Sequence, residues 1–200
     1  MSRTNLSKIE VARRQLGTAL WLFIEDLDPV SVHTLAAAGG ELAEHLAREV
    51  GSSPFIDHVL QTDAAMTPGA YYRLARQHYN AFKHATQLNG TTRDDEALLA
   101  DFDDRQNHAL LFIGWSDLLS ATGKCPIEAQ VFQAWFYASY PEKLAAKDDA
   151  KRFSSAFPGL LCLTPQERKG FLRAQIALAR TNSAVMQDLR TDESPLVWGN

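Results

Sequence analysis

Residues 28–51 read DPVSVHTLAAAGGELAEHLAREVG. Asp28 followed by Pro29 has the form of a helix N-cap with proline at the first helical position, where its missing N–H has no intrahelical partner to lose. The spacing then predicts a helix to about Val50, stopped by Gly51. Its centre, Leu35 to Gly40, is built of small residues, and each of its two adjacent glycines costs about 1 kcal/mol relative to alanine in a helix. Close approach of a second helix backbone offsets such a cost. The expected partner is the helix that carries His84.

The same logic extends in both directions. From Ser7 to Glu25, Ile9, Ala12, Leu16, Leu20, Phe23 and Ile24 recur at three- and four-residue steps, an amphipathic helix. A short helix is expected over Pro54–Gln61, and Thr67-Pro68 starts a longer one to about Leu88, closed by Asn89-Gly90. A single long helix is expected from after Asp94 to Thr122, with Gly123 as its stop, and another from Pro126 to just before Pro141. Lys143 to Pro158 reads as irregular, a lid or a surface connection. Thr164-Pro165-Gln166-Glu167 is a capping box for a helix to about Leu189. No segment alternates as a half-buried strand does. The expectation is an all-α, single-domain helical bundle of six to seven helices over residues 1–190, with a core at about 7–140, an added helix at about 164–189, and a loosely held tail at 191–200.

Composition narrows the function classes. With 46% hydrophobic residues, 22% charged residues and a net charge of −4, the chain lacks the basic surface of a protein that grips nucleic acid by neutralising phosphates. Cys125 and Cys162 stand far apart with no CxxC pair, so a disulfide framework or zinc site is not expected. The charged N-terminus carries no secretory pattern, and no stretch nears the roughly 18 apolar residues of a membrane span. A cytoplasmic protein without membrane contact is the expectation. Nucleophile elbows, P-loops and dinucleotide fingerprints are absent, which removes support from most common enzyme classes.

Polar residues of functional type concentrate in YYRLARQHYNAFKHA, residues 71–85. Arg76, Asn80 and His84 are spaced four apart, and each such step turns a helix by only about 40°, so they form a row with Lys83 on its flank. Arg76 and Lys83 would hold an anion, and His84 would transfer a proton near neutral pH. The competing reading has the row structural, with Asn80 and His84 bonded to the helix end and the cations solvated. In the helix of residues 29–50, Glu41, Glu44 and His45 lack the repeated Glu-x-x-His spacing of a ferritin-like metal site, so no metal and no cofactor are expected. His33 is the residue there that would meet the His84 helix. Asn107 and His108, after the acidic stretch Asp94–Asp104, are candidates for a second wall of a cleft, with His108 and His33 as ligand-binding residues. The basic residues from Arg168 to Arg190 either attract nucleic acid or pair with that acidic stretch. The aromatic cluster Phe132 to Tyr140 fits a core or an oligomer contact.

Asn80-Ala81-Phe82-Lys83-His84-Ala85 resembles the N-x-x-K-H or R-N-x-x-x-H signature of HEPN-type domains, helical bundles associated with nucleotides and RNA in bacterial defence and toxin systems. DPVSVHTLAAAGGELAEHL together with YNAFKHA is also similar to a group of uncharacterised bacterial proteins, a likeness covering most of residues 8–141. The HEPN resemblance implies a polar helix lining a cleft, commonly at a homodimer interface, and in active members a metal-independent ribonuclease. Asn80 and His84 match the polar residue and histidine of that signature, whereas Tyr79 stands where the arginine belongs and Arg76 lies one turn earlier. Two functions follow as expectations. One is a nucleotide- or RNA-binding protein in which His84 and Arg76 carry any catalysis and Asn80, Lys83, His33 and His108 bind ligand. The other is a non-catalytic scaffold for a protein partner.

Overall fold

The structure, a computed structural model, describes residues 6–144 and 146–198. Ten α-helical segments lie among the described residues, rather than six to seven: α1 Lys8–Ile24, α2 Pro29–Glu49, α3 Phe55–Thr62, α4 Pro68–Lys83, α5 Glu96–Ala100, α6 Arg105–Thr122, α7 Ile127–Ser139, α8 Lys147–Ala156, α9 Pro165–Arg180 and α10 Ser183–Met186. The fold is all-α apart from two-residue strands, β1 Cys125–Pro126 and β2 Thr191–Asp192, which pair in parallel. No helix among the described residues is long and apolar enough to cross a membrane.

Four helix starts obey their local signals. Ser7 and Glu10 form a capping box on α1, Asp28 accepts from the Val30 and Ser31 amides on α2, Thr67 accepts from Ala70 N–H on α4, and Thr164 with Glu167 boxes α9. Each satisfies amides that the first turn leaves without partners.

The extra segments come from breaks that side chains make. The expected long helix over 94–122 is split because Asp103 accepts the Arg105 amide and both guanidinium contacts, closing α5 and opening α6. The helix expected to reach Leu88 ends at Lys83. His84 is extended, at φ −124° and ψ 118°, and Asn89-Gly90 turns the chain back so that Thr86 bridges Thr92. The Asn-Gly pair is here a hairpin signal, with Gly90 at φ 82°. Residues 147–156 of the irregular stretch form α8, and Asn182 ends the expected last helix early by capping α10 through its side-chain oxygen.

The core is the packing of α1, α2 and α6, with α7 and α9 closing it. The close approach at the two glycines of α2 is to these helices rather than to the His84 helix. A Cβ on Gly39 would stand 2.8 Å from Leu16 Cγ of α1, and one on Gly40 would stand 3.7 Å from Gly114 Cα of α6. The glycine cost is thus offset where three helices cross, and α4 lies across a groove from the same stretch, with Tyr71 and Tyr72 walling a floor that includes Ala36, Ala37 and Gly40.

Residues 191–198 do not form a loose tail. Arg13, which is 9% exposed, donates to Asp192 Oδ2 at 2.8 Å and to the carbonyls of Ser194, Pro195 and Leu196 at 3.2–3.3 Å. Leu196 O sits so close to Gly17 that no side chain fits there. The last two residues, 199–200, lie outside the described residues.

Candidate functional site

The row on α4 is dispersed along a surface. Arg76 pairs with Glu41 of α2 at 3.0 Å and lies 4.6 Å over the Tyr72 ring. Lys83 lies 5.0 Å over the Tyr79 ring, and His84, the C-cap residue, is exposed. Asn80 is half-buried between them. Of the four, Arg76 alone lines the groove between α2, α4 and α6. His33 meets α4 through His78 and Phe82, its ring centroid 5.8 and 5.5 Å from theirs, and not through His84.

His33 and His108 instead flank one buried network. Asn107, fully buried, donates through Nδ2 to Pro29 O at 3.0 Å and to Asp104 Oδ1 at 2.8 Å. Its Oδ1 must therefore accept, so the 2.9 Å contact fixes His33 with its proton on Nδ1. His33 Nε2 is left buried without a partner against the Phe82 and Phe102 rings, and burial lowers the pKa to about 4. Asp104 Oδ2 accepts from Lys169 Nζ at 2.6 Å, and Lys169 also donates to Asp26 at 2.7 Å. Lys169 is 4% exposed and sits 4.4 Å over the Phe23 ring, so both carboxylates and the ring compensate its lost hydration.

Beside this network opens a pocket of about 670 Å³, its open mouth included, lined by His108, Trp135 and Tyr140 and by Arg105, Arg168 and Lys169. His108 contacts the Tyr140 hydroxyl through Nδ1 at 2.8 Å, and burial brings its pKa down to about 4, so the ring is neutral near pH 7. Trp135 Nε1–H is buried with no acceptor among the described residues. Arg168 spends Nε and Nη2 on the neutral carbonyls of Leu163 and Leu161 and keeps its full charge. The α6 and α9 N-termini both end here, at Arg105 and Pro165, adding the positive ends of two helix dipoles. Arg105 is paired with Asp103 and Lys169 with Asp104 and Asp26, so among the described residues Arg168 is the lining cation that no carboxylate engages.

The sequence singled out His108 as a second wall for the cleft of the α4 row, and the structure places it in this separate pocket instead. The sequence did not single out Arg105, Arg168, Lys169, Trp135 and Tyr140 as its neighbours. The usable signal was the capping box at Thr164, which places Arg168 and Lys169 just inside a helix start. Of the other arginines between Arg168 and Arg190, Arg173 donates to Ile24 O, Arg180 pairs with Glu128 and Arg190 with Asp188. No group of three or more His, Cys, Asp or Glu side chains able to hold a metal occurs among the described residues.

Comparison with protein-family models, with curated proteins and with solved structures finds no match.

Proposed function

We propose that this chain binds a nucleotide or a similar phosphate-bearing ligand in the α6–α7–α9 pocket and does not cleave it. The observation that carries the reading is the convergence of Arg168, whose bonds go to neutral carbonyls, and two helix N-termini on a pocket with aromatic walls, with Arg105, paired with Asp103, beside them. Guanidinium groups and helix N-termini bind phosphate oxygens, and Tyr140 and His108 offer ring faces for a base. The resemblance of Asn80–Ala85 to the HEPN signature supports the nucleotide or RNA class of ligand and a homodimer as the assembly. Cleavage by the row lacks support, since Arg76 is engaged by Glu41 and His84 stands on open surface. A neutral His108 is also a weak base at neutral pH.

A thermal-shift and calorimetric screen against nucleoside phosphates and short RNAs tests this, with Arg105→Ala, Arg168→Ala and His84→Ala in parallel. The wild type and His84→Ala should bind alike, and the two arginine variants should weaken binding about tenfold or more, the loss of one charge-assisted hydrogen bond. Loss confined to His84→Ala would move the site to α4. Binding by none of the ligands would leave the second reading, a protein-interaction module, which Leu74 (62% exposed) and the fully exposed Leu88 favour.

A further inference from the structure

The groove between α2, α4 and α6 has the opposite chemistry. Its space is about 460 Å³, mouth included. The floor is Ala36, Ala37, Gly40 and Gly114, where the helices approach so closely that only a narrow apolar slot remains. Tyr71 and Tyr72 wall one side, and Glu41, Glu44 and Asp117 face in against the single cation Arg76.

Asp117 is the group the fold leaves incomplete. It is 2% exposed, and its Oδ1 accepts the Phe55 amide at 2.7 Å at the start of α3. Its second oxygen takes no hydrogen bond among the described residues and keeps some contact with solvent. A carboxylate accepts two bonds or more at each oxygen, so the second oxygen can take a donor that enters the groove. Arg48, the cation of another element whose charge acts on Asp117, is divided between Glu44 and Asp57 at 3.4 and 3.3 Å. Glu44 also accepts the Tyr72 hydroxyl. Arg76 over the Tyr72 ring shows that this wall already carries one cation at the mouth.

We propose that the groove is a binding site for an aliphatic ammonium ion, whose head donates to the free oxygen of Asp117 and whose alkyl chain runs along the alanine and glycine floor between the tyrosines. The ammonium supplies the donors and charge that Asp117 lacks, and the slot favours an unbranched chain over a bulky quaternary head. The site is independent of the nucleotide pocket and stands whether or not that pocket binds.

The probe is n-butylamine and 1,4-diaminobutane against the full chain by calorimetry, with sodium chloride at equal ionic strength and tetramethylammonium as controls. Both amines should bind, and the controls should not. Asp117→Asn keeps an acceptor for Phe55 N–H and removes the charge, so amine affinity should fall about tenfold or more. Should that variant fail to fold, the wild type answers the question through pH. Burial pushes the Asp117 pKa up to about 6, with Glu44 and Asp57 adding to the rise and Arg48 opposing it. Near pH 5 only about a tenth of the carboxylate is ionised, and amine affinity should be about tenfold weaker than near pH 7.5. Amine binding no stronger than the sodium control, unchanged in Asp117→Asn, or unchanged between those pH values overturns the proposal.

Discussion

Lowering the pH from about 7 to about 5 should cost the wild type about 2 kcal/mol more stability than it costs His33→Gln. His33 is 3% exposed, and burial lowers its pKa from 6.5 to about 4. As pH falls below 6.5 the unfolded chain takes up a proton at this position and the folded chain does not. The unfolded state is therefore favoured progressively until the pH passes through about 4. At about 1.36 kcal/mol per pH unit the ceiling is about 3 kcal/mol, and about 2 kcal/mol of it falls between pH 7 and 5. Glutamine keeps an N–H for Asn107 Oδ1 and has no titration, so its packing defect enters at both pH values and cancels. His108, also lowered to about 4, and Asp117, raised to about 6, are present in both proteins and cancel in the same way. Urea unfolding followed by far-ultraviolet circular dichroism at the two pH values measures the difference. Equal losses in wild type and variant would refute the claim that His33 is held neutral by burial.

Two further perturbations separate backbone approach from side-chain clamping. Gly114→Val should destabilise by about 2 kcal/mol, because its Cβ would lie 2.6 Å from Leu16 Cδ2 and 3.4 Å from Gly40 Cα in a filled core. Gly40→Ala, whose Cβ meets nothing nearer than 3.7 Å, should be neutral or stabilise by up to about 1 kcal/mol; thermal unfolding that ranks the two the other way sinks the packing account. Arg13→Ala should cost about 3 kcal/mol, since it leaves Asp192 and three carbonyls without their donor, and should speed amide hydrogen exchange across residues 192–197. Exchange there at the wild-type rate would show that the segment is held by other contacts.

What was legible in the sequence was what a few neighbouring residues determine. The caps at Asp28, Thr67 and Thr164 fall where hydroxyl and carboxylate groups meet first-turn amides, and the apolar steps of α1 fix which of its faces goes inward. The division of residues 94–122 was hidden because the carboxylates of Asp103 and Asp104 favour a helix start and a helix first turn alike. The candidate pocket was hidden for a different reason. His108 stands out on its helix, but Arg168 and Lys169 reach it from some 60 residues farther along the chain, and periodicity carries no information about which helix start meets which. The row on α4 showed the reverse limit, since its spacing is real and yet its four side chains reach no common cleft.

The long-range arrangement is set instead by polar groups of α6 that other helix starts require. Asn107 binds the Pro29 carbonyl at the start of α2, Asp117 binds the Phe55 amide at the start of α3, and Asp104, its N-cap residue, binds Lys169 in the opening turns of α9. Apolar contacts among these helices supply most of the attraction, but they are non-directional and tolerate sliding. A buried hydrogen bond does not, because a helix displaced by one turn leaves both of its partners desolvated at about 1–3 kcal/mol each. Three such bonds on one helix register three others against it. That registration brings the α9 N-terminus beside the α6 N-terminus to make the anion-favouring pocket, and it turns Asp117 inward at the opposite end, where the cation-favouring groove lies.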